Sequence, residues 1–171
     1  MHCEHGKSTD NEGDSKPMNV KATDDLDPET EPLFAYPGFL IRRASTILMA
    51  DLATELADKA GLRPAEASVL GVIGRNPGTK SAAVGKLLGI ARANMAPLLA
   101  RLENRGLVHR RRVDGRSFGL FLTEEGADIA ACVDEVMESH ETASMKEIPA
   151  ALQQSLVAAL QILVLSRSDE S

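Results

Sequence analysis

The sequence predicts a mainly α-helical fold interrupted by one small β-hairpin. Three observations predict it. Aromatic residues make up 3% of the chain against 43% hydrophobic residues overall, so the core must be built from Leu, Ala, Val and Ile, which suit helices. Apolar residues recur at helical spacing in a series of separate stretches. Between two of these, 107-LVHRRRVDGRSFGLFLT-123 reads instead as two short strands flanking Asp114-Gly115.

The first helix is expected over Pro37–Ala60, where Leu40, Ala44, Leu48, Leu52 and Leu56 form a stripe flanked by Ile41 and Ile47, with Gly61 at its end. Pro64 fits the first turn of a second helix, 64-PAEASVLGVIGR-75, which stops before Asn76-Pro77-Gly78. A third, short helix is expected over Ser81–Leu88 and is broken by Gly89. A fourth runs from Arg92 to Arg105 and is closed by Gly106. Pro97 falls inside it, and its missing amide predicts a kink or tight turn around Ala93–Pro97. Strands follow at Leu107–Val113 and Ser117–Leu122, with Asp114-Gly115 supplying a two-residue type I′ turn. Thr123 can cap a fifth helix, and Glu124 and Glu125 suit the positive end of its dipole. That helix carries Ile129, Cys132, Val133, Val136 and Met137 on one stripe. The last begins near Pro149 and stacks Leu152, Leu156, Leu160, Leu163 and Val164.

Charge is distributed unevenly. The chain has a formal net charge of -6. From Arg75 to Arg116, ten Lys and Arg face two acids, Glu103 and Asp114, so that segment is +8 and the remainder carries -14. Such separation calls for a polyanionic partner, because a surface tuned only for solubility scatters both signs. Residues 1–31 hold nine acids and three lysines, with Met18, Val20 and Leu26 the sizeable apolar residues. They read as a disordered acidic tail. Its 1-MHCEH-5 cluster has metal-capable groups but no further ligand pair nearby, so no metal site and no cofactor are expected. No apolar run reaches the ~18 residues of a membrane span. Without a basic stretch leading into an apolar one at the start, a cytoplasmic protein with no membrane partner is expected. Two cysteines, Cys3 and Cys132, are too few for a disulfide framework.

The order of elements carries the function. Residues 81–105 form a helix-turn-helix in which small Gly85 permits close packing and Gly89 supplies a left-handed turn. Met95, Leu98, Leu99 and Leu102 give its second helix a buried face. On the opposite face lie Ala93, Ala96, Pro97, Ala100 and Asn104, flanked by Arg92, Asn94 and Arg101. Small outward side chains allow close approach to base edges, and alanine can contact a thymine methyl. The hairpin follows at once as a basic wing. Arg112 and Arg116 beside its turn suit a minor groove, and Arg110 and Arg111 suit flanking phosphates. Lys80 and Ser81, at the start of the third helix, complete the expected DNA contacts. The whole reads as a winged helix-turn-helix.

On these residues the chain resembles the MarR family of regulators. The most specific parts are 62-LRPAEASVLGVI-73, 84-VGKLLGIARANMAPLLARLENRGLV-108 and the wing pattern of Asp114, Arg116, Leu122 and Thr123. The resemblance covers about Pro37 to Ser166. It implies a homodimer in which the first and last two helices of both chains interlock, and a recognition helix in the major groove with wings in the minor groove. It further implies a pseudo-palindromic operator and repression relieved by a small ligand. The expected organisation is therefore an acidic tail (1–31), a first dimerisation helix (37–60), the DNA-binding domain (61–122) and C-terminal dimerisation helices (123–166). The apolar stripes of the terminal helices support the dimer independently, since one chain cannot easily cover all of them.

Enzymatic activity is not expected. Cys132 and His140 stand eight residues apart, about 12 Å along a helix, and there is no phosphate-binding glycine loop. A thiol-based redox sensor is one alternative, but Cys132 lies on an apolar stripe and reads as a packed thiol. A winged helix used only to bind protein is another. For the effector, Arg42-Arg43 at the start of the first helix suits a ligand carrying phosphates. The 40-LIRRAS-45 stretch resembles family members that control hydroxycinnamate breakdown and sense aryl-CoA thioesters. The competing candidate is a free phenolic acid, bound by one arginine and His140.

Overall fold

A computed structural model of the protein describes residues 31–115 and 117–168; of the acidic tail expected at 1–31, all but Glu31 lies outside them, as does Arg116. The described residues fall into two units, one ending at Leu40 and the other beginning at Ile41. In the first, Glu31 caps a 3-10 turn at Pro32–Ala35, and Phe34 meets Phe39 edge-on with ring centroids 5.5 Å apart.

The first helix, α1, spans Pro37–Ala60, as the periodicity indicates, and Gly61 follows with φ at 62°. Its buried residues, Leu52, Leu56 and Ala60, all lie in its C-terminal half. Helix α2 (Pro64–Arg75) opens on Pro64, and the Glu66 side chain reaches back to accept the Arg63 amide at 3.0 Å. Glu66 thus satisfies one of the amides that every helix start leaves orphaned.

Helix α3 (Ser81–Leu88) ends on Gly89, left-handed at φ 64°. Helix α4 (Arg92–Asn104) buries Met95, Leu98, Leu99 and Leu102. The two pack closely at Gly85, where a β-carbon would stand 3.1 Å from both the Ile90 carbonyl oxygen and Met95 Cγ. The kink expected at Ala93–Pro97 does not divide α4, which runs through Pro97 as one element. Pro97 withholds only the amide that would bond the Ala93 carbonyl, and both residues are exposed, so water can satisfy that carbonyl.

Strands β1 (Val108–Asp114) and β2 (Ser117–Leu122) pair antiparallel with Val108 opposite Leu122. The turn differs from the expected one. Asp114 is itself paired, opposite Ser117, and the register slips between Arg112 and Asp114. The connection therefore begins at Gly115 rather than at Asp114-Gly115, because Val113 is an extra residue in β1. Asp114 Oδ1 instead closes the turn by accepting the Ser117 amide at 2.9 Å. The other edge of β2 pairs with the loop after α2: Gly78 N donates to the Leu120 carbonyl at 2.8 Å, and Leu120 N to the Thr79 carbonyl at 2.9 Å.

Thr123 caps α5 (Glu124–Met145), accepting the Gly126 amide at 2.9 Å while its hydroxyl donates to the Gly106 carbonyl at 2.6 Å. Gly126 packs against Leu107 so closely that a β-carbon there would overlap the Leu107 carbonyl. Arg75 on α2 meets Asp134 on α5 at 2.7 Å. The core gathers Leu56, Leu70, Ile73, Leu99, Leu102 and Val133 between these elements. Helix α6 (Ala150–Ser168) contributes no described residue to it. Its Ile162 and Leu165 are 69% and 66% exposed.

Candidate nucleic-acid interface

The two glycine-limited turns and the buried stripe of α4 fix which side of that helix faces outward. Arg92, Ala93, Asn94, Ala96, Pro97 and Ala100 are all exposed, so the small-residue face expected to approach base edges is open. Ser81 is half-buried at the start of α3, and Lys80 precedes it, exposed, with Nζ 3.8 Å from Asp114 Oδ2. This ion pair and the Leu120 backbone rungs set the wing beside the helix-turn-helix. Beside them runs a groove of about 1150 Å³ lined by Lys80, Lys86 and Arg92, with Met95, Phe118 and, from α6, Val164 among its apolar walls.

The arginines of the wing have different surroundings. Arg110 Nε donates to Glu103 Oε1 at 2.5 Å, and its Nη2 lies 3.4 Å from Glu103 Oε2. Arg111 lies over the Phe121 ring, 4.1 Å from its centroid, and Phe121 also stacks on His109 at 5.8 Å. Arg112 stands on the other side of the hairpin, 5.7 Å from the Phe118 centroid. Both cation–π contacts hold a guanidinium along the strand without neutralising it. Arg116 lies outside the described residues. Arg101 stays about half exposed but is tied to α2: its Nε donates to Glu66 Oε1 at 2.7 Å. Lys86 and Phe118 are parts of this surface, and Glu66 a buried support beneath it, that sequence reasoning did not single out. The exposed aromatic at Phe118, opposite Arg112, was the available signal for one of them.

The surroundings of Glu66 displace its carboxyl from the ordinary value. Burial pushes it up, but the Arg101 hydrogen bond, the Arg63 amide and the charges of Arg101 and Arg63 together outweigh burial. They hold it below the ordinary carboxylate value of 4.5.

The expected effector residues do not come together within one chain. Arg42 and Arg43 are exposed on α1. His140 is buried on α5, with Nδ1 3.5 Å from Glu55 Oε1 and Nε2 3.5 Å from Ser144 Oγ. Glu55 is thirteen residues beyond Arg42 on α1, roughly 20 Å along the helix. Cys132 is half-buried against the core, Sγ 3.6 Å from the Lys59 carbonyl oxygen. Among the described residues no group of three His, Cys, Asp or Glu is arranged to hold a metal, and no single helix is long and apolar enough to cross a membrane.

A model of the MarR family matches residues 60–117. Comparison with curated proteins found no match. Among solved structures, the transcriptional repressor CouR bound to a 23-mer DNA duplex is 30% identical, covering 77% of this chain and 94% of its own, with a TM-score of 0.71. The same repressor bound to p-coumaroyl-CoA is 27% identical, covering 79% and 96%, also at a TM-score of 0.71. A MarR family protein of Mycobacterium tuberculosis in complex with salicylic acid is 25% identical, covering 75% and 96%, with a TM-score of 0.62. The chain belongs to the MarR family of winged helix-turn-helix transcriptional regulators.

Proposed function

We propose that the protein is a homodimeric repressor that binds a pseudo-palindromic operator and is released from it by an aryl-CoA thioester. The observation that carries the DNA-binding half is the open small-residue face of α4 set beside a basic wing. In this reading Arg92, Asn94, Ala96 and Pro97 meet the major groove. Arg112 and Arg116 reach the minor groove, and Lys80, Ser81, Arg110 and Arg111 engage phosphates. Residues 61–122 are the DNA-binding domain, and the protein acts in the cytoplasm.

Residues 37–60 and 123–166 form the dimer interface. The support is apolar surface: Ile47 on α1, and Ile162 and Leu165 on α6, are exposed in the single chain, and large apolar side chains exposed along a helix are covered by association. The thioester half rests on the Arg42-Arg43 pair, two guanidiniums suited to CoA phosphates, and on likeness to a repressor whose structure holds p-coumaroyl-CoA. The alternative effector, a free salicylate-like or phenolic acid, would need only one arginine together with His140.

The test selects a duplex from a random-sequence pool with the wild-type protein, then follows its release by fluorescence anisotropy. p-Coumaroyl-CoA should release it at concentrations where free p-coumarate and salicylate do not. Release by the free acids alone would overturn the thioester assignment, and failure to enrich any duplex would overturn the DNA-binding one.

A further inference from the structure

Glu66 has more contacts than its place in α2 requires. It is one of the two buried polar or charged side chains among the described residues, and both of its oxygens are used. Oε2 accepts the Arg63 amide at 3.0 Å, which completes the helix cap. A cap needs one acceptor, and a neutral glutamine would supply it. Oε1 is left for a residue thirty-five positions away: it accepts from Arg101 Nε at 2.7 Å. Four residues on, Arg105 Nη1 donates to the Gly61 carbonyl at 2.7 Å. The first turn of α2, at Glu66, and the link before it, at Gly61, are thereby tied to the C-terminal end of α4 by two arginines one helical turn apart.

We propose that Glu66 is a positioning residue for operator recognition, fixing the rotation of α4 through Arg101 so that the base-reading face is held in register. The proposal rests on the DNA-binding reading above. Asn94, Pro97 and Arg101 follow one another at i, i+3 and i+7 and so share one edge of α4. Holding that edge at Arg101 holds it two turns away at Asn94. With side chains a helix is about 5–6 Å in radius, so a roll of about 20° moves the contacting atoms by about 2 Å. That displacement is enough to break a hydrogen bond to a base edge. Arg101 thus acts inward, on Glu66, and the basic charge offered to phosphates comes from its neighbours. The same tie joins the recognition helix to the end of α1, so a displacement of α1 reaches α4 through the Gly61–Glu66 link.

The test compares wild type, Glu66→Gln, Arg101→Gln and the double variant on the duplex enriched by wild type and on its scrambled counterpart, at several salt concentrations. Thermal unfolding confirms that each is folded at the temperature used. Each single variant should lower the selected-to-scrambled affinity ratio by about tenfold, comparable to one mismatched base pair. The double variant should lose no more than either single one, because both act through one contact. The salt slope should stay that of wild type. An unchanged ratio in folded Arg101→Gln, whatever its melting temperature, would overturn the proposal. So would a slope reduced by about 2 per dimer in Arg101→Gln, which would make Arg101 a phosphate contact in its own right. If Glu66→Gln does not fold, Arg101→Gln, altered on a half-exposed side chain, decides alone. A wild-type protein that enriches no duplex overturns the DNA-binding reading itself, which no outcome with the variants does.

Discussion

The backbones of Gly78 and Gly119 approach so closely that a β-carbon on Gly119 would stand 2.5 Å from the Gly78 carbonyl oxygen. The approach exists because β2 is hydrogen-bonded on both edges, to β1 on one side and to the loop after α2 on the other. A side chain at Gly119 must therefore push the wing off its support. Gly119→Ala should destabilise the fold by about 1–3 kcal/mol through overpacking. Gly115→Ala, where a β-carbon meets nothing within 4 Å, should change stability by less than about 0.5 kcal/mol. Urea unfolding of the two variants checks this, and equal effects would contradict the close approach.

Glu66 gives the fold a defined pH dependence. Its carboxyl is held below 4.5 in the folded chain, so the unfolded chain takes up a proton first as pH falls. The stabilisation is complete above the ordinary carboxylate range and is lost as pH drops through the folded value. At pH 7 Glu66→Gln should be less stable than wild type by about 1–3 kcal/mol, the scale of a lost charge-assisted hydrogen bond. Unfolding curves at successively lower pH should converge. A gap that persists in acid would mean that shape, not charge, accounts for the loss.

Much of this was legible locally. The bounds of α1, α2 and α3 follow from apolar spacing together with Gly61, Pro64 and Gly89, residues that act within a turn of where they stand. The departures come from contacts distant in sequence. An Asp-Gly pair names a turn, but the extra residue at Val113 moves it, and nothing local marks a bulge. Helix α4 stays one element through Pro97, whose exposed position leaves the one missing hydrogen bond to water. Gly119 and Gly126 are required by the Gly78 and Leu107 backbones, and Arg101 meets Glu66 across thirty-five residues. On the sequence alone Arg101 is one more cation on a basic face.

Assembly has its own expected outcome. Ile162 and Leu165 are exposed on a helix that buries none of its described residues. The protein should sediment as a dimer at micromolar concentration, and Ile162→Glu should shift it toward monomer by placing a charge in an apolar interface. A variant that stays dimeric, with wild-type affinity, would place the interface elsewhere.

The arginine pair on α1 separates ligand from DNA. Changing Arg42 and Arg43 to Ala should weaken release by p-coumaroyl-CoA by about tenfold or more, since each charge-assisted contact is worth about 1.5–3 kcal/mol. Affinity for the selected duplex without ligand should change much less. Equal losses in both would make these arginines DNA contacts.

The central claim is that a basic wing and the open face of α4 bind duplex DNA together, and the salt dependence of binding tests it most directly. Wild type titrated on the selected duplex should give a log affinity against log salt slope of about -6 or steeper. Arg112→Ala should reduce its magnitude by about 2 per dimer, because each half-site loses one groove-bound cation and the counterion it displaces. Arg92→Ala should weaken the selected duplex more than the scrambled one, because it stands at the start of the face that reads bases. A folded Arg112→Ala protein with the wild-type affinity and slope would contradict the account.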